Sequence, residues 1–334
     1  MKKILFTLCL AAALTGARGQ IYIDSYRFGA APVSDDLLLD SFPTAELAIS
    51  LRKLDKDYTG NCITIQKDNG DTSVVDFSGN YLDTAAVKTF CGTGAGDSCR
   101  VRVWFDQSGN ARNFRQDTTA SQPLIMIDGA LTYDNGEISV RFNGTTSSMV
   151  IPSSTSTFNF IHNGGNATFF TVQRFGSVSN PNAVLNYISN GGGFISNVGF
   201  AIAYDDRSSV PINNGHRILV NNGTGSAIVV NMADSDKITP NQISLLYTRF
   251  DANNATAASR AKGAFNGGAE YGNNTSTGTP TGSNATSNFF LGRNPGTLLN
   301  YFGGAVQEIV LYNANKSSDK SAIEGNINRF YSIY

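Results

Sequence analysis

The apolar positions of this chain change period along its length. Leu47, Leu51 and Leu54 recur at helical spacing, Pro43 suits a first turn, and Tyr58-Thr59-Gly60 would end the element, so residues 41–54 are predicted as a helix. Residues 62–67 alternate as a strand does. Asp83 reads as the N-cap of a short helix running through Phe90. The most regular strand covers residues 100–105, with Val101, Val103 and Phe105 on one face and Arg100, Arg102 and Trp104 on the other. Asp106-Gln107-Ser108-Gly109-Asn110 closes it as a turn, Asp106 placed to bond its own downstream backbone and Gly109 free to go left-handed. From there to residue 313 short strands are separated by turn clusters, for example at 124–128, 138–142, 168–175, 242–250 and 289–292. The Gly/Asn/Thr/Ser run at 272–288 reads as a long hairpin tip or surface loop. Gly303–Tyr312 is the last strand, and residues 317–331 predict a closing helix with Ile323, Ile327 and Phe330 on one stripe. Short strands without α/β alternation predict an all-β sandwich or barrel: one domain over residues 20–334, with a helical N-terminal region at about 36–92 and a short C-terminal helix.

Composition narrows the function classes. Gly and Asn each number 34, which supplies left-handed and side-chain-closed turns. A net charge of −1 without a basic run argues against a nucleic-acid partner, because such binders need clustered Lys and Arg. Lys2-Lys3, an apolar stretch from Ile4 to Leu14 and Ala17-Arg18-Gly19 read as a cleaved signal peptide over residues 1–19. No other run is apolar enough for a transmembrane helix. The expected location is therefore secreted, periplasmic or at the cell surface. Export permits a disulfide among Cys62, Cys91 and Cys99. The flexible loop between Cys91 and Cys99 favours that pair, with Cys62–Cys91 as its rival.

Few residues carry recognisable chemistry. No Gly-x-Ser-x-Gly turn, phosphate-binding loop or dinucleotide fingerprint is present. Asp205-Asp206 follows a strand-like segment and could serve as a calcium ligand pair or a glycosidase carboxylate, although a solvated turn is the simpler reading; no Asp-x-Asp-x-Asp run stands nearby to complete a calcium site. No cofactor is expected. Glu308 sits in the last strand beside Val306 and Val310 on one face, opposite Gln307, Ile309 and Leu311, and a structural role is expected for it. Glu137 and Glu270 could each act as an acid but have no identifiable partner. Trp104 is a candidate sugar-stacking platform, against the alternative of packing under the N-terminal helix.

The stretch Leu51-Arg52-Lys53-Leu54, Tyr58-Thr59-Gly60, Leu82-Asp83-Thr84-Ala85, Phe90-Cys91 and Trp104-Phe105-Asp106-Gln107-Ser108-Gly109-Asn110 resembles the N-terminal part of the arabinofuranosidase B type catalytic domain. Residues 301–312 resemble the final strand of laminin-G-like and other concanavalin-like sugar-binding domains. The resemblance implies a concanavalin-like antiparallel β-sandwich, or jelly roll. It also implies two carboxylates, a nucleophile in mid-domain and an acid shortly after a Leu-Gly pair. The matching regions here are 183–204 and Arg293-Asn294-Pro295-Gly296 after Leu291-Gly292, and neither holds Asp or Glu. The expected function is an exported, non-catalytic protein that binds carbohydrate or another cell-surface component. Trp104, Tyr204, Asp205, Asp206, Arg293, Asn294 and Tyr301 are its candidate contacts. The alternatives are an arabinofuranosidase-like hydrolase drawing on Glu137, Asp205, Asp206, Glu270 and Glu308, and a structural adhesin or assembly subunit that forms homo-oligomers.

Overall fold

The computed structural model describes residues 36–176, 184–191, 197–205, 215–223, 227–231, 238–272, 281–295 and 301–334. The expected signal peptide, Asp206 and residues 273–280 of the 272–288 run lie outside the described residues. The strand Gly303–Tyr312 is the spine of the fold. Along one edge it pairs antiparallel with Asn166–Phe175, which continues to Ile243–Asp251 and then Ala261–Phe265. Along its other edge it pairs with Ala45–Ser50 at one end and Val140–Asn143 at the other. A second antiparallel series runs from Met149–Ile151 through Phe289–Leu291, Val184–Ser189 and Val198–Asp205 to Gly215–Asn222 and Ala227–Asn231.

The two series stack face to face as a β-sandwich. Phe169 and Phe250 of the first meet Phe200 and Phe289 of the second, with ring centroids 5.4–6.4 Å apart among these pairs. Phe175 stacks on Tyr204 at 4.7 Å. The outer face of the first sheet is covered too. Ala48, Phe170, Val172, Leu245, Val310 and Tyr312 form a second core with Leu38 and Leu39 of the short helix Leu38–Ser41 and with Ile323, Ile327 and Tyr331 of the closing helix Lys320–Tyr331. A sheet buried on both faces loses the alternation that marks a half-exposed strand. Accordingly Asn166–Phe175 and Gly303–Tyr312 are buried almost throughout.

That double burial overturns one predicted element. Ala45–Ser50, expected inside the helix at 41–54, is a strand. Leu47 and Ile49 point into the sandwich while Ala45 and Ala48 join the outer core, so the stretch reads as a continuous apolar run. Thr44 adopts φ 69°, which a right-handed helix cannot accommodate. Five strands and only two short helices occupy residues 36–92 in place of a helical region. By contrast the helix Thr84–Cys91 starts as expected: the Asp83 carboxylate accepts from the Ala86 N–H at 2.9 Å. Cys91 and Cys99 form the disulfide, and Cys62 is a buried free thiol.

Two β-bulges change which side chains share a face. In Cys99–Trp104, Thr64 faces Val103 and Ile65 faces Val101, so Arg102 is the extra residue. Val101 and Trp104 therefore both point inward, and Trp104 does not share a face with Arg100 and Arg102 as alternation predicts. In the last strand Val172 faces Glu308 and Gln173 faces Val306, leaving Gln307 bulged. Val306 lies in the sandwich core, whereas Glu308 lies with Val310 on the other side.

Candidate functional site

The turn that carries the strongest sequence resemblance holds the fold together. Asp106 Oδ1 accepts from the Ala48 and Ser108 N–H groups at 2.8 and 3.0 Å. Gln107 accepts from the Leu54 N–H and donates to the Ser50 and Arg52 carbonyls. Trp104 Nε1 donates to the Ser50 carbonyl at 3.2 Å. The backbone of residues 48–54 thus finds, in these side chains, partners that no neighbouring strand provides. Trp104 is fully buried, which corrects its candidacy as a stacking platform. Tyr204, stacked on Phe175 in the core, is likewise removed from any surface.

The two regions marked by the resemblance lie side by side. Ile188 pairs with Leu291 and Ser189 with Phe290, and Ser189 Oγ donates to the Arg293 carbonyl at 3.0 Å. Gly292 takes φ 89°, packed so tightly on Phe142 that a Cβ would collide. Arg293 lies 4.3 Å over the Phe290 ring and bridges to Tyr301, while Asn294 is buried. Arg293, Asn294 and Tyr301 therefore do converge. Asp205 ends the strand Val198–Asp205.

The remaining carboxylates separate by environment. Glu308 is fully buried and forks onto Arg52, with Nε at 2.7 Å and Nη2 at 3.0 Å. Ser50 and Tyr331 hydroxyls also donate to its Oε2. Burial alone would depress the Arg52 guanidinium, but the Glu308 charge and hydrogen bonds, helped by Tyr331, outweigh it and hold its pKa above the ordinary value. A carboxylate so fully engaged is a structural anchor rather than a reactive acid. Glu270 accepts from the Tyr247 hydroxyl at 2.8 Å and lies 3.5 Å from Arg249.

Glu137 is the pool member that stands in a cleft. Together with Arg52, Leu82, Thr84 and Ile138 it lines a depression of about 240 Å³ whose walls are Tyr81, Tyr133 and Phe330. Tyr81 is 56% exposed and stacks on Phe330 at 5.5 Å; Tyr133 is 47% exposed. Arg52 in turn sits 4.8 Å over the Phe330 ring. Burial raises the Glu137 pKa, with Arg52 opposing. The hairpin bearing Tyr133 and Glu137 turns at Asn135-Gly136, both at positive φ, and Gln307 Nε2 pins it by donating to the Asp134 and Glu137 carbonyls. Phe330 is placed by its spacing on the apolar stripe of the closing helix, whereas Tyr81 and Tyr133 carry no such signal beyond their position beside glycine-containing turns, where a buried role is least expected. Among the described residues no group of three or more His, Cys, Asp or Glu is placed to hold a metal, and no helix is long and apolar enough to cross a membrane.

No protein-family model matches this chain, and no curated protein matches it. Solved structures do. An arabinofuranosidase complexed with arabinofuranosyl-α-1,2-xylobiose is similar over 87% of this chain and 64% of its own, at TM-score 0.59 and 15% identity. A GH54 α-L-arabinofuranosidase soaked with a cyclic sulfate inhibitor gives the same values. Ruminococcus gnavus IT-sialidase CBM40 bound to α2,3-sialyllactose matches 56% of this chain and 95% of its own, at TM-score 0.40 and 17% identity. The chain spans 64% of the length of the arabinofuranosidase chains it matches, and what it shares with them is the antiparallel β-sandwich fold.

Proposed function

We propose that this protein is an exported carbohydrate-binding β-sandwich whose site is the cleft between Tyr81, Tyr133 and Phe330. The observation that carries the reading is the pair of exposed tyrosines lining a recess that also holds the Glu137 carboxylate. Aromatic faces suit the C–H surface of a sugar ring, and the Glu137 carboxylate and Thr84 hydroxyl supply acceptors and a donor for its hydroxyls. The Cys91–Cys99 disulfide fits an oxidising compartment. The test is calorimetry with arabinofuranosyl-xylobiose and a panel of neutral plant oligosaccharides. Binding weakened about tenfold by Tyr81→Ala is expected. No binding across the panel would sink the reading.

An arabinofuranosidase-like hydrolase is the second reading, favoured by the fold likeness over 87% of the chain. Glu137, with its raised pKa, has the character of a general acid. A retaining or inverting mechanism needs a second carboxylate, and Glu137 is the one carboxylate among the residues lining that cleft. Release of arabinose from 4-nitrophenyl α-L-arabinofuranoside, abolished by Glu137→Gln, would replace the binding reading with this one.

A further inference from the structure

A second cleft, of about 350 Å³, has a different chemistry. Arg141 and Arg174 line it beside Asn241, with Ile127 exposed at its rim. Both guanidinium groups share one carboxylate, Asp134, which is nearly buried. Arg174 Nε donates to Asp134 Oδ1, and its Nη1 donates to Asn241 Oδ1 at 3.1 Å. Arg141 Nη2 donates to the Tyr133 carbonyl at 2.7 Å and lies 3.3 Å from Asp134 Oδ2.

Two positive charges therefore face one negative charge. Arg141 Nε and Asp134 Oδ2 are both buried without a hydrogen-bond partner, so the one carboxylate leaves an Arg141 donor unmet. Burial and the repulsion of Arg174 both lower the Arg141 pKa, while Asp134 opposes them; a second anion would relieve the same strain. A guanidinium fork pairs in a planar, two-point fashion with carboxylate or sulfate oxygens. The Asn241 amide, held at φ 66° by its own backbone bond to the Phe175 carbonyl, adds a further donor.

We infer that this cleft is an anion subsite that takes the carboxylate or sulfate group of an acidic saccharide. The saccharide part rests on the carbohydrate reading above; the charge preference rests on Arg141 and Arg174 alone. The hairpin that carries Tyr133 and Glu137 to the first cleft also carries Asp134, the buried carboxylate that Arg141 and Arg174 share.

The experiment titrates the full chain by calorimetry with trigalacturonate, a sulfated trisaccharide, a neutral galactotriose and sodium sulfate. At least one acidic sugar is expected to bind about tenfold tighter than the neutral one, by a margin that shrinks as salt is raised. Arg141→Gln is expected to erase that margin. Ile127→Glu, a change at an exposed residue of this lining that is no part of the first cleft's lining, should narrow it as well with neutral binding intact, and guards against misfolding of the first variant. The uronate and sulfate arms tell the two anions apart. Equal affinity for acidic and neutral sugars, insensitivity to both variants, or sulfate alone binding as tightly as the acidic sugars would each overturn the inference. If neutral sugar binds and acidic sugar gains nothing, this inference alone fails. If no sugar binds, the carbohydrate reading fails with it.

Discussion

Two arginine–carboxylate assemblies flank the Tyr133–Ile138 hairpin, and they are built to opposite ends. Arg52 and Glu308 are matched one to one, forked, buried and ringed by Ser50, Tyr331 and Asn326. Arg141 and Arg174 share a single Asp134 beside a cleft, and Arg141 Nε is left without a partner. A saturated buried pair has nothing left to offer a ligand, and losing one member leaves a bare charge in a low-dielectric interior. The Arg141 arm of the second assembly is partly exposed, so it contributes less to folding and borders a cleft open to a ligand.

The largest effect expected from that contrast is on stability. Glu308→Gln should destabilise the protein by about 3–5 kcal/mol in urea denaturation, because Arg52 stays buried with its charge unmatched. The double variant Arg52→Met with Glu308→Leu should recover most of that loss, since apolar groups of similar size often replace a buried pair without penalty. A single variant as stable as wild type would remove the distinction between the assemblies. Arg141→Gln should shift stability by no more than about 1 kcal/mol, since its side chain is 31% exposed; its effect belongs to acidic-sugar affinity. Tyr81→Ala should likewise leave the melting curve nearly unchanged, within about 1 kcal/mol, while weakening neutral-sugar binding. A large drop in stability would instead mark Tyr81 as a packing residue for the closing helix.

The smallest effect is a pH dependence. The Glu137 carboxyl has a folded pKa above its ordinary value of 4.5. Across the window between the ordinary and the raised value, the folded state holds more protons than the unfolded state. Stability therefore falls as pH rises through that window. Relative to Glu137→Gln, wild type should lose well under about 1 kcal/mol there, as the group is half exposed, and should be level above it. A difference that is flat from about pH 4 to pH 8 would mean that the cleft does not desolvate Glu137.

The elements readable from sequence are those whose causes are local. Asp83 caps a helix three residues ahead, Asp106 closes a turn two residues ahead, and Cys91 meets Cys99 across eight residues. The resemblance at Trp104 to Asn110 pointed to the right fold, yet these side chains serve as a clasp on residues 48–54. Ala45–Ser50 read as helix because both of its faces are buried, one by the sandwich and one by a helix some 280 residues later, and apolar residues on both faces erase the period. The bulges at Arg102 and Gln307 moved Trp104 and Glu308 to other faces than alternation assigns, and a bulge is set by the partner strand.

By itself, then, the sequence determined the all-β class, the turns and the Asp83 cap, and favoured the Cys91–Cys99 bridge over its rival, because each depends on neighbours along the chain. Only the tertiary structure decided which polar residues are spent inside and which are left at a surface. Arg52 meets Glu308 from 256 residues away, and Tyr81 meets Phe330 across a comparable distance. Whether an arginine is saturated is a property of everything packed around it, and no stretch of sequence contains that information.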